Sequence, residues 1–351
     1  MSAPVPLRAW FGKLASRRSL LIAGALVFIA LPGVAQAPSP AEPPAAITIE
    51  SRPIAAFDIR DHSRRQFGLL EFRGGLALSS SYRHFGGISA IRVGADGASF
   101  IALSDKGRWL RGRIVYDGTR PSGIVDAEMA PILGADGRPL ADRGWFDTES
   151  IAEDGGTLYV GIERVNQIVR FDYGRYGLAA RGQPIAVPPG VRSLPANKGL
   201  ESLVFVPRGY ALAGTLIAIS ERGLDKAGNI VGFLIGGPSP GPLAVKRIAS
   251  YDISDAALLP GGDLLILERK FSWTSGLSIR MRRVALGDVK PGALLDGAAL
   301  LEVDLGYEID NMEGLSVHRT PGGETVLTLI SDDNFSILQR TLLLQFTLAE
   351  P

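Results

Sequence analysis

The chain has 351 residues, 43 of them glycine and none cysteine, with 37 basic against 36 acidic residues. That is enough chain for a large core. The near-neutral balance argues against nucleic acid as a partner, and the lack of cysteine excludes disulfides and thiolate metal sites. Residues 1–37 hold four of the basic residues and no acid, so a chain without them is net acidic by three.

The first 37 residues read as a signal peptide. Arg8, Lys13, Arg17 and Arg18 precede an unbroken apolar run at 20–31. Such a run suits a signal peptide and falls short of the ~20 residues that span a bilayer. Ser16-Arg17-Arg18-Ser19-Leu20-Leu21 fits a twin-arginine signal, with an ordinary secretory signal as the alternative. Cleavage is expected after Ala35 or Ala37, which predicts a periplasmic or secreted protein with no stable membrane span. Residues 38–46, rich in Pro and Ala, read as a disordered linker.

The domain itself is expected over 47–351. Residues 47–59 and 67–79 read as strands of an irregular blade that the C-terminal strand at 342–348 completes. Five hairpins follow, each with a Gly- or Pro-rich turn between two apolar runs, with first strands starting at 87, 149, 201, 255 and 313. Outer strands are predicted at 167–173, 230–235 and 278–286, and loops at 187–195 and 236–242. A repeat of 52–62 residues with several strands per unit predicts an all-β propeller. Six blades are expected, with five as the alternative, in a ring closed by the two chain ends.

Midpoint arithmetic places an acid on each side of the open hairpin ends: Glu149 opposite Glu163, Glu201 opposite Glu221, Asp255 opposite Glu268, Glu313 opposite Asp332, and Gly87 opposite Asp105. Like blades would gather all nine acids on one face. Two unit charges ~8 Å apart repel by roughly 2 kcal/mol at an effective dielectric of ~20, so nine carboxylates need counter-charge. Basic residues directly after the acid, as in Glu163-Arg164, Glu221-Arg222 and Glu268-Arg269, are one source. A hard cation such as Ca²⁺ is another. The corner of Asp310, Asn311, Glu313, Asp332 and Asp333 has the fewest cations and is the expected site if a metal binds, with an Asx-rich turn capping the strand ends as the alternative.

Three aromatic segments are expected to wall a pocket on that face, through Trp109, Trp145 and Trp273, with packing between blades as the alternative. His84 precedes the first hairpin and belongs to the same face. There is no G-x-S-x-G elbow, P-loop or dinucleotide fingerprint.

FGGISAI with FIALSDKGRW, WFDTESIA with LYVGIER, NKGLESLVF with LIAISER, DAALLPGGDLLILER, and NMEGLSV with ISDDN together resemble the phytase-like propeller family labelled "esterase-like activity of phytase", over residues 53–348. The resemblance implies an exported hydrolase of phosphate or carboxylic esters. The calcium motif of the alkaline propeller phytases, of DDPA type, is absent; only Asp255-Ala256-Ala257 stands in its place. The expected chemistry is cation-assisted ester hydrolysis of a small molecule. Glu149, Glu201, Glu313 and His84 are the candidate acids and bases, and Arg164, Lys198, Arg222 and Arg269 would hold an anionic group. A metal-dependent lactonase and a non-catalytic binding propeller are the alternatives.

Overall fold

Residues 42–349 are described by the computed structural model; the signal segment and the first part of the linker lie outside the described residues. Five sheets, antiparallel except for one parallel edge strand in the second and in the third, follow one another along the chain. Their two innermost strands are Ile88–Val93 with Ser99–Ser104, Thr148–Asp154 with Thr157–Ile162, Leu200–Phe205 with Thr215–Leu224, Asp252–Leu258 with Leu264–Ser272, and Met312–Arg319 with Thr325–Ser331. These are the five predicted hairpins. Each innermost strand packs against its neighbours in order, and Met312–Arg319 lies beside Ile88–Val93.

The protein is a five-bladed propeller, so the preference for six was wrong. The expected extra blade does not exist because its strands are already used. Leu70–Ser79 pairs with Thr341–Leu348, and Glu50–Ile54 pairs with Leu70–Ser79, so both N-terminal strands complete the fifth sheet from outside. A hairpin followed by a single C-terminal strand is an incomplete blade, and the N-terminal segments are its missing edge. Ala45–Ala46, the end of the expected linker, forms a short strand on the edge of the first blade.

The predicted outer strands appear as Gln167–Asp172, Ile230–Gly236 and Gly276–Val284. The expected loop at 187–195 contains one helical turn, Pro189–Arg192. No helix among the described residues exceeds four residues, and none is long and apolar enough to cross a membrane.

The core consists of apolar clusters between neighbouring blades, because each sheet presents alternate side chains to the sheet on either side. Trp109 belongs there. Lys106-Gly107 makes a tight turn, with Gly107 at φ +73°, and the next strand begins at once at Arg108, so Trp109 is fully buried edge-on against Phe171 of the second blade. It does not wall a pocket.

Buried ion pairs also join the blades. Glu268 accepts from Arg280 at 2.7 Å and from Arg282 at 2.6 and 2.9 Å, and the two arginines donate onward to the carbonyls of Ile248 and Lys246. Replacing Glu268 by Ala leaves two buried guanidiniums without the carboxylate they share, with only Asp296 at 3.6 Å from Arg282. We expect a loss of about 3–5 kcal/mol, read as a lower urea midpoint.

Candidate functional site: an acidic cup at the propeller axis

Each innermost strand contains a register shift one turn of the pleat from its open end. The residues at the five bulges are Ser89, Glu149, Glu201, Ser254 and Glu313. A bulge inserts one residue and re-aims its side chain. It also displaces the expected cross-strand pairs. Asp147 faces Glu163, Gly199 faces Glu221 and Asn311 faces Asp332, while Gly87 faces Asp105 as predicted. In the fourth blade Asp252 faces Arg269 and Ile253 faces Glu268. The second strand therefore brings Asp105, Glu163, Glu221, Arg269 and Asp332 to the open end of the hairpin, four acids and one arginine at equivalent positions.

The two sets converge. Glu149 feels the charges of Glu313, Glu163, Asp105 and Asp332, and Glu201 those of Glu221, Glu149 and Glu163. Seven of the nine predicted acids form this cup. Asp255 and Glu268 do not. Glu268 faces the interface between blades. Asp255 lies just below the cup, where it receives Arg92 at 3.0 Å and the Leu315 amide at 2.8 Å. Arg92 also donates to the Leu315 and Leu203 carbonyls, at 2.9 and 3.2 Å. It thereby ties the first blade to the third, fourth and fifth and floors the cup.

Cations are few. Lys106 pairs with Asp105 at 2.6 Å and Lys198 with Glu221 at 2.7 Å. Arg269 pairs with Glu313, with Glu221 at 3.3 Å and with Glu201 at 3.6 Å. That leaves three cations against seven carboxylates. Burial pushes Glu149 and Glu201 well above the usual carboxylate range, with Glu313 and Glu221 respectively the leading charges that add to it. Burial raises Glu163 to about 7 and Asp332 to about 8, aided by Glu221 and Glu313 respectively. Burial also raises Glu313, though Arg269 opposes it. Burial works against the charge of Arg269, but Glu313, Glu201 and Glu221 outweigh it and hold the guanidinium charged.

The half-buried Glu149 makes no hydrogen bond or ion pair among the described residues. Glu201, only 4% exposed, has the Arg269 ion pair and no hydrogen bond. Glu163, Glu201 and Glu221 each offer an oxygen within 4.8 Å of the others and could hold a metal ion. Carboxylate oxygens bound to Ca²⁺ at ~2.4 Å lie at most ~4.8 Å apart, so this all-oxygen set fits a hard cation.

The corner expected to bind metal is engaged otherwise. Asp310 accepts the amides of Asn311 and Arg340, both in turns. Asn311 bridges Arg269 and Glu313. Asp333 accepts the amides of Gly87 and Phe335 and the Thr341 hydroxyl. Short acidic side chains capping turns explain that sequence without an ion. Of the four acids in that corner, only Glu313 and Asp332 face the cup, and Asn311 reaches it through Arg269 and Glu313.

The other predicted residues scatter. His84 lies beside Arg83 and Arg108 near Glu42, and burial with those arginines pushes its pKa down, so it is not a cup acid or base. Arg222 is committed to Asp252, which Arg247 also holds. Arg164 lies 4.0 Å from Asp147 and over the Phe146 ring. Trp145 packs against the cluster between the first two blades. Trp273, 95% exposed, stands edge-on to Phe271 on a loop of the fourth blade. Of the predicted anion-holding set, Arg269 and Lys198 reach the cup. Arg269 was legible as a basic residue after an acid, but its replacement of an acid in the repeat was hidden by the bulge.

An all-β propeller with a blind acidic cup on its axis defines the class. The sequence model of the Phytase-like family, described as "Esterase-like activity of phytase", matches residues 83–335, and the chain belongs to that family. No curated protein matches. Similar solved structures include a protein of unknown function from Bacteroides caccae, 14% identical over 71% of this chain and 70% of that one, with TM-score 0.30. Another is the PQQ-bound aldose sugar dehydrogenase of Streptomyces coelicolor, 12% identical over 87% of this chain and all of that one, with TM-score 0.37.

The raised carboxyls give stability a defined pH dependence. Between the ordinary carboxylate range and about 8, the folded chain holds protons that the unfolded chain has released. Stability from these groups is complete below the unfolded pKa and is lost as pH rises through about 7 and about 8. We expect the melting temperature in chelator to fall from pH 5 to pH 8.5. Millimolar Ca²⁺ should raise it more at pH 8.5 than at pH 5, because protons and cation compete for the same oxygens.

Proposed function

We propose that this protein is an exported hydrolase of carboxylic or phosphate esters, with a divalent cation, Ca²⁺ as first choice, held in the axial cup of a ring closed by its fifth blade. The observation that carries this reading is the surplus of carboxylates that lack counter-charge, above all Glu149 and Glu201. Structural acids elsewhere in the chain accept hydrogen bonds from arginines; Glu149 has no partner, and Glu201 has only Arg269 at 3.6 Å. Family membership supports the ester class.

Glu163, Glu201 and Glu221 would hold the cation, which when bound supplies Lewis-acid polarisation of the ester oxygen. Glu149 would be the general base: it is half-buried and free of partners, the charge of a cation held beside it would favour its ionised form, and its raised proton affinity suits it to taking a proton from water. Asp332, with its pKa raised to about 8, is protonated at neutral pH and is the candidate donor to the leaving group. Two carboxyls with different environments then serve as base and acid. Arg269 fixes Glu201, Glu221 and Glu313 in place.

The second reading is a binding propeller without turnover. Arg269 favours it, since its three ion pairs serve a structural purpose without any chemistry.

A panel of simple carboxylic esters, phosphate esters including phytate, and lactones, assayed with Ca²⁺ and with chelator, separates the readings. We expect turnover that chelator removes. Glu149→Gln should lower kcat by about 10²–10⁴-fold, the usual worth of a general base, with bound metal unchanged. Glu201→Gln should lose both metal and activity. Glu149→Gln should match or exceed the parent's melting temperature in chelator at pH 8, since it removes a buried carboxyl that has no partner. Absence of turnover on every class in the presence of Ca²⁺ would leave the binding reading.

A further inference from the structure

We infer that the groove between the fourth and fifth blades is an acyl subsite, taking the apolar chain of a carboxylic ester whose polar end reaches the cup. This rests on the hydrolase reading and adds the substrate class to it.

The groove is continuous with the cup. Arg269 and Glu313 line both, and the space beyond them is about 730 Å³, within the ~300–1,000 Å³ of small-molecule sites. Its apolar wall is Phe271, Leu277, Leu305, Ile309 and Leu338. Several of these side chains are not needed to fill the core. Phe271 is 63% exposed, Leu305 55% and Leu338 88%, and Trp273 stands beside Phe271. A lone exposed leucine needs no explanation, but several large apolar side chains bordering one groove mark a binding surface.

The loop that carries Leu338 is built to a fixed shape. Asn334 and Phe335 are successive left-handed residues, at φ 48° and 51°. Such a backbone is costly for residues other than glycine. Asp333 holds it through the amides of Gly87 and Phe335 and the Thr341 hydroxyl. The same acid expected from sequence to bind metal therefore positions one wall of the groove.

Charge selects the ester class. A phosphate polyanion entering the cup would meet seven carboxylates and three cations that already have partners. A carboxylic ester is uncharged and pays no such repulsion. Its acyl chain gains from leaving water along the apolar wall.

The test uses the p-nitrophenyl esters of acetate, butyrate and hexanoate with the parent chain and the Leu305→Asp, Leu338→Asp double variant. Full burial of one methylene is worth roughly fourfold, so kcat/KM should rise about tenfold or more from acetate to hexanoate in the parent. The dependence on chain length should vanish in the variant. That ratio is the readout, not the activity on any single ester. A second arm needs no turnover: calorimetric binding of 2-octanone, a non-hydrolysable ester isostere, against 2-butanone. The longer ketone should bind the parent about tenfold more tightly or better, by the same accounting, and the variant no more tightly than the shorter one. If no ester is turned over but this ketone preference holds, the hydrolase reading fails and the apolar subsite stands. Equal binding of the two ketones by the parent, or an unchanged chain-length dependence in the variant, overturns the subsite. A dimer in solution that the double variant dissociates would assign the face to a second copy of the chain and overturn it equally.

Discussion

Arg269 is the charge on which the cup depends. In four blades the second strand brings an acid to the axis; in the fourth it brings this arginine, which reaches Glu201, Glu221 and Glu313 on the blades either side. Carboxylates ~5 Å apart repel by about 3 kcal/mol at an effective dielectric of ~20. Without a guanidinium among them the inner strands could not bring these side chains together. Yet one arginine cannot satisfy seven acids. Glu149, Glu163 and Asp332 lie outside its contacts and adapt by holding protons, as their raised pKa values show. The cup thus divides into a part ordered by ion pairs and a part whose charge follows pH or a bound cation.

The rest of the molecule shows what a purely structural acid looks like in this chain. Asp252 has Arg222 and Arg247, Asp255 has Arg92 and two backbone amides, and Glu268 has Arg280 and Arg282. Each buried carboxylate of that kind meets a guanidinium in hydrogen-bonding geometry, as burial of a charge demands. Glu149 and Glu201 break that pattern within the same fold. Strong perturbation without a hydrogen-bonded counter-ion, in a concave site, is the physical ground for assigning them to function.

Much of this was legible in the sequence. Five hairpins, their turns, several outer strands and seven of the cup acids follow from apolar periodicity and glycine placement. What failed has two physical causes. Strand pairing between the chain ends is non-local, so nothing near residues 50–79 showed that they complete the sheet of Met312–Arg319 instead of starting a sixth. The bulges carry no residue signature either, since Ser and Glu both occupy them, and in four of the five blades the acids have other cross-strand partners than those expected. That shift misplaced Asp255 and Glu268 and hid the equivalence of Arg269 with Asp105, Glu163, Glu221 and Asp332. At Asp310 and Asp333 the sequence left turn capping and metal binding open, because acidic side chains serve turns and metals alike.

The bulge residues show where the fold ends and the site begins. All five inner strands share the same local geometry, so the backbone offers five equivalent places for an acid beside the axis. Three carry glutamate and two carry serine, Ser89 and Ser254. Ser89 turns its hydroxyl to the carbonyl of Thr148 at 2.5 Å and so serves the neighbouring blade, not the cup. Ser254, in the blade that supplies Arg269, leaves the guanidinium free of an acid from its own bulge. Arg269 is thereby directed across both blade boundaries, to Glu201 and Glu221 on the third blade and to Glu313 on the fifth, the side where the apolar groove opens. The symmetry of the propeller brings the charges together, and two serines and one arginine break that symmetry to give the cup its direction.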